Sequence, residues 1–111
     1  MWLSFFLKRC KECGYNSMTS FDSMLSEAEL FGTEAVEKAY REIRNRWDNN
    51  AKYLTELTVL LNEKGLYFSR RNRRLSDLYT KLFHETYLYA EQHLYENERS
   101  YFYSVMAKFN M

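Results

Sequence analysis

VEKAYREIRNRWDNNAKYLTELTVLL, residues 36–61, decides the fold. Val36, Tyr40, Ile43, Trp47, Asn50, Leu54, Leu57 and Leu61 follow alternating steps of four and three, the spacing that keeps side chains on one stripe of a helix. Asp48, Asn49 and Asn50 have the composition of a break. A break ordinarily resets the phase, however, and here the phase carries through. The stretch therefore predicts one helix over about 33–64, ~45 Å long at a rise of ~1.5 Å per residue. Asn50 stands where an apolar residue is expected. Either it is buried and fixes register or oligomeric state at a cost in stability, or a small drift turns it outward and brings Ala51 in.

Working outward, Gly65 is expected to end this helix, with residues 66–71 turning the corner. Asn72 then caps an antiparallel partner over about 73–95, which carries Leu75, Leu78, Tyr79, Leu82, Phe83, Tyr89, Ala90 and Leu94. Upstream, Thr19 or Ser20 caps a short helix reaching about Phe31, Gly32 stops it, and Thr33 caps the long one. Downstream, Asn97 caps a last helix from Glu98 to about Lys108. The chain has no proline and only three glycines, too few turn formers for a β-rich domain. The fold class is all-α: a small helical bundle with one long central helix, an antiparallel partner and two shorter helices packed across them.

At 111 residues the chain suits a single domain, and 46% hydrophobic with 18% aromatic residues suffices for a packed core. We divide it into an N-terminal extension, 1–17, and a helical domain, 18–111. A net charge of +1 argues neither for a general nucleic-acid binder nor for an acidic mimic of one. The charge is unevenly placed, however. Residues 17–34 hold Asp22, Glu27, Glu29 and Glu34 without a base, while residues 69–74 hold four arginines without an acid. No apolar run reaches the ~18 residues that a membrane span needs. The apolar block in MWLSFFLKRC is shorter than a secretory leader's, and its bases follow rather than precede it. The expected location is the cytoplasm of the host cell.

FDSMLSEAELFGTEAV at 21–36, WDNNAKYLTELTVLLN at 47–62, LYTKLF at 78–83 and YAEQHLYENERSYFY at 89–103 together resemble a family of small all-helical proteins from gut-bacterial phages and related mobile elements. The similarity covers about residues 21–103, and its most specific piece is YLTEL at 53–57 followed by Asn62. It implies an origin and a single domain, and it brings no activity with it. Met18 matches a family-like start.

The arginines carry the sharpest question. Arg73 and Arg74 fall in the first turn of the helix that Asn72 caps, where the helix dipole disfavours cations by ~0.3–1 kcal/mol each. Together with Arg70 and Arg71 they also repel one another. Three counter-charges fit: Glu27 or Glu29 of the first helix folded over the corner, an acidic patch on a partner protein, or nucleic-acid phosphate with Tyr67 and Phe68 stacking on bases. Ten tyrosines are more than one small core absorbs, and Tyr87, Tyr95, Tyr101 and Tyr103 are candidate interface residues.

No catalytic signature stands out. Cys10 and Cys13 form a single CxxC without the second pair that a structural zinc needs, so a metal arises only as a weaker alternative, shared between two chains. His84 and His93 are nine apart and do not share a helix face as neighbours. No cofactor is expected. The sequence supports a non-enzymatic accessory protein that binds a host or phage protein partner and inhibits or modulates a host factor such as a defence system. A homodimer is compatible with the surplus aromatic surface. The alternative is a small nucleic-acid-binding helical module built on Arg70, Arg71, Arg73 and Arg74.

Overall fold

A computed structural model describes residues 17–109, which form five helices. They are α1 (Ser17–Glu29), α2 (Thr33–Trp47), α3 (Ala51–Phe68), α4 (Arg73–His93) and α5 (Glu96–Lys108). Among the described residues there is no strand, and no helix is long and apolar enough to cross a membrane. The all-α bundle is as the sequence predicts. The extension 1–16, with Cys10 and Cys13, lies outside the described residues.

The long helix predicted over 33–64 is instead two helices. Asp48 is the C-cap of α2, and Asn50 leaves the helical region with φ −110° and ψ 110°. Its Oδ1 accepts the Tyr53 N–H at 3.1 Å, capping α3. Short polar side chains compete in this way with the helix's own hydrogen bonds, and three in a row prevail over the stripe. Asn50 is accordingly exposed and Ala51 turns inward, the second of the two expected placements, reached by a break between helices rather than by drift. The phase survives because both helices face one core, not because they share an axis. Val36, Tyr40 and Ile43 of α2 meet Leu57, Leu60 and Leu61 of α3 in one cluster. Leu54 turns instead to a second cluster with Ala90, Leu94, Phe102 and Met106.

Gly65 does not end α3, which runs on to Phe68. A Cβ at Gly65 would lie 3.2 Å from Thr80 Oγ1, so the missing side chain lets α4 approach closely. There Ser76 Oγ donates to the Gly65 carbonyl at 2.8 Å. At the other end of the pair Leu54 packs with Ala90, which makes α3 and α4 antiparallel. Their contact is the most extensive in the bundle. Asn72 caps α4 as predicted, its Oδ1 accepting the Leu75 N–H at 3.2 Å.

The other boundaries shift by a turn or less. α1 is already helical at Ser17 and ends at Glu29, two residues before Phe31. Gly32, not Thr33, precedes α2. Its φ of 107° suits glycine, because a Cβ would clash in that backbone region. α5 begins at Glu96 rather than after Asn97, because the Tyr95 N–H donates to Glu98 Oε1 at 3.0 Å and fixes the entry two residues earlier.

Phe21 and Leu25 carry α1 into the first cluster beside fully buried Tyr40 and Tyr79, each apolar side chain contributing ~2–3 kcal/mol. Among the described residues Arg44 Nε is a buried side-chain polar atom without a hydrogen-bond partner, while the core threonines are satisfied. Thr58 and Thr86 donate to the carbonyls four residues back, and Tyr40 Oη pairs with Thr86 Oγ1 at 2.7 Å to join α2 to α4.

Candidate functional site

The α3–α4 turn places the four arginines in different situations. Arg71 is held by its own corner: it donates to the Tyr67 carbonyl at 2.9 Å and lies over the Tyr67 ring, 4.3 Å from its centre. Arg73 pairs with Asp77 at 3.4 Å, one turn on, with both side chains largely exposed, so the pair contributes little. Arg70 and Arg74 form no ion pair among the described residues. The first turn of α4 holds no acid, so nothing local offsets the helix dipole.

Glu29 lines a cleft at this corner together with Glu34 and Arg74, but its direct partners lie elsewhere. It accepts from Lys64 Nζ at 2.7 Å and from the Tyr79 hydroxyl, while Asp22 lies 3.1 Å from the same ammonium. Burial, and then the Glu29 hydrogen bond, push the Tyr79 hydroxyl's pKa up, so Tyr79 stays a donor. Glu27 forms no ion pair with the arginines among the described residues either. Lys64 sits on α3 one turn before Phe68. A lysine there invites a solvated reading, and its spacing from Asp22 and Glu29 is visible only once α1 is folded back.

Of the two aromatics assigned to the corner, only Tyr67 faces out. Phe68 stacks on Tyr79, ring planes 7° apart and centroids 6.0 Å apart, at the edge of the core. Three further large apolar residues, Leu30, Phe31 and Leu66, are exposed as Tyr67 is. The α1–α2 turn abuts the α3–α4 turn, with Phe31, Arg74 and Leu75 lining a cleft of about 360 Å³. Leu30 is 82% exposed, Phe31 78%, Leu66 68% and Tyr67 56%. One end of the bundle thus presents four large apolar side chains beside four arginines. The sequence carries α1 to about Phe31, with Leu30 or Phe31 as its last apolar residue, whereas the helix ends at Glu29. The turn at Gly32 puts both residues in solvent.

The tyrosines divide. Tyr87 is half-buried, packed edge-on to Phe102 with centroids 5.1 Å apart, and belongs to the second core cluster. Tyr103 donates to Glu91 Oε2 at 2.6 Å. Tyr95 and Tyr101 are exposed. Tyr101 and Tyr103 are two residues apart on α5, roughly 200° around its axis at ~3.6 residues per turn, and do not share a face. Of the stripe, Val36, Tyr40, Ile43, Leu54, Leu57 and Leu61 are buried within the chain.

The histidines are apart and engaged with aromatics. His84 packs edge-on to Phe83, and His93 stacks on Tyr89 with centroids 4.1 Å apart. Among the described residues no group of three His, Cys, Asp or Glu could hold a metal ion. On the opposite flank a charged network ties α2 to α4. Arg41 bridges Glu85 with both guanidinium nitrogens and also reaches Glu37 at 3.3 Å. Arg44 donates to Tyr40 Oη at 2.6 Å and lies 4.2 Å from the Tyr89 ring centre. The Arg41 hydrogen bond holds the Glu85 carboxyl below its usual range. Every charge in this network has a partner, which makes it a brace between helices.

The fold and this end face define an all-helical bundle with one mixed apolar and basic surface. No protein-family model, curated protein or solved structure matches the chain.

Proposed function

We propose that this chain is a non-enzymatic protein-binding module, an accessory protein of a phage or mobile element that docks on a host or phage protein in the host cytoplasm and inhibits or modulates a host factor such as a defence system. The observation that carries the protein-binding reading is the exposure of Leu30, Phe31, Leu66 and Tyr67 together with the arginines at one end of the bundle. Large apolar side chains left exposed near charge are typical of a protein contact. A nucleic-acid groove is instead polar and basic, and its apolar elements are rings that stack on bases. Leu30 and Leu66 cannot stack and Tyr67 is already covered by Arg71, which leaves Phe31 as the exposed ring of the four that could.

The nucleic-acid alternative draws on the same arginines. Four cations release about four counterions, so such binding would be weak and steeply dependent on salt. Affinity capture from host lysate, with and without nuclease, separates the two. Capture of a protein that survives nuclease and is lost with Leu30→Ser plus Leu66→Ser supports the proposal. A partner recovered only without nuclease, and lost with Arg70→Ala plus Arg74→Ala, overturns it.

A further inference from the structure

The core is in two pieces, and α5 belongs to one of them alone. The first cluster draws on α1, α2, α3 and α4 and holds no residue of α5. The second consists of Leu54 and Val59 of α3, Ala90 of α4, Leu94 at its C-cap, and Phe102 and Met106 of α5. We infer that α5 is a lid: it swings as a unit on the Leu94–Tyr95 joint while α1–α4 stay folded, and it uncovers an apolar seat made by Leu54, Val59, Ala90 and Leu94.

What holds the lid down is confined to a few groups. Phe102 and Met106 are its buried side chains, and Tyr87 of α4 packs edge-on to Phe102 and tilts against Tyr103. Among the described residues, the side-chain hydrogen bonds from α5 to another helix both end on Glu91. Tyr103 Oη donates to its Oε2 at 2.6 Å, and Arg99 Nη1 donates to its carbonyl at 3.2 Å. Tyr103 is exposed, so water competes for the first of these and the latch is weak. The joint itself is two extended residues, Leu94 with ψ 146° and Tyr95 with φ −67°. Turning about those two bonds leaves the Leu94 N–H on the Ala90 carbonyl and the Arg99 N–H on the Tyr95 carbonyl. The helix at the other end of the bundle's chain order is held differently. α1 places Phe21 and Leu25 in the first cluster, and Asp22 and Glu29 tie it to Lys64. A helix joined to the rest by few buried contacts opens more readily than the whole domain unfolds.

Native-state hydrogen exchange of the full chain, followed by NMR at several low urea concentrations, tests the lid. The amides of residues 100–106 should share one level of protection, about tenfold or more below that of Leu57, Leu61 and Leu82. That shared value should fall with urea, because opening exposes buried surface. Ile43→Val, in the first cluster, should speed exchange at Leu57 and Leu82 by about threefold and leave α5 unchanged, since the open form keeps that cluster intact. Tyr103→Phe removes the latch at the surface and should speed exchange in α5 by about threefold. If α5 exchanges only as the whole bundle unfolds, its protection equals that of Leu57 and Ile43→Val moves both alike, which overturns the inference. A smooth decline from Phe102 to Lys108 without urea dependence is the pattern of a fraying end and overturns it as well.

Discussion

Lys64 Nζ lies 2.7 Å from the Glu29 carboxylate, with both side chains largely out of solvent. The contact joins the end of α1 to the last turns of α3. Removing one member of a buried pair leaves the other charge uncompensated, at a cost of ~3–5 kcal/mol. Lys64→Met should therefore destabilise by about 3 kcal/mol. Adding Glu29→Gln should recover part of that loss. Urea unfolding of the two single variants and the double variant measures the coupling. Additive losses would show that the contact contributes nothing.

Ala51→Pro checks the break between α2 and α3. Residue 51 is the first position of α3, where proline fits, and Asn50 has the extended backbone that a following proline favours. The variant should stay within about 1 kcal/mol of the parent. A continuous helix would lose ~3 kcal/mol or more from the same change. Thermal melting followed by circular dichroism distinguishes the two.

Gly65 gives a graded test of the α3–α4 contact. Alanine gains helix propensity of ~1 kcal/mol but meets Thr80 Oγ1 at 3.2 Å. Gly65→Ala should come out near neutral, and adding Thr80→Ala should make it stabilising. Gly65→Leu should cost ~1–3 kcal/mol through overpacking. Denaturant midpoints for the three variants give the ranking, and a neutral Gly65→Leu would mean that the helices do not meet there.

Much of this fold was legible because helix formation and apolar spacing are local. Asn72 capping α4 and the stripe of Val36, Tyr40, Ile43, Leu57 and Leu61 could be read directly. The helix ends were harder, since a capping side chain and a seam position look alike until the backbone chooses. Asn50 kept the spacing while leaving the helix. Gly65 presents the same ambiguity, because glycine ends helices and also lets helices approach, and only the neighbour Thr80 decides. The arginines were visible as a cluster. Their partners were not, because Glu29 meets Lys64 across 35 residues of chain. Leu30 and Phe31 were read as the end of α1 because helical spacing cannot show that a turn intervenes.

The last prediction concerns acid. Arg41 hydrogen-bonds Glu85 and holds its carboxyl below the ordinary value of 4.5. In the unfolded chain that contact is gone and the carboxyl returns to its usual range. The folded state thus favours the ionised form. Its contribution is fully present above about pH 5 and disappears as pH falls through the lowered folded value. Glu85 and Arg41 are both more than a third exposed, so water screens the pair and the contribution stays under about 1 kcal/mol. Glu85→Gln should be slightly less stable than the parent at neutral pH, and the difference should close on acidification. Urea midpoints at several pH values between neutral and strongly acid trace the approach. A gap that stays constant across that range would show that Glu85 contributes through packing and hydrogen bonding alone, with no part played by its charge.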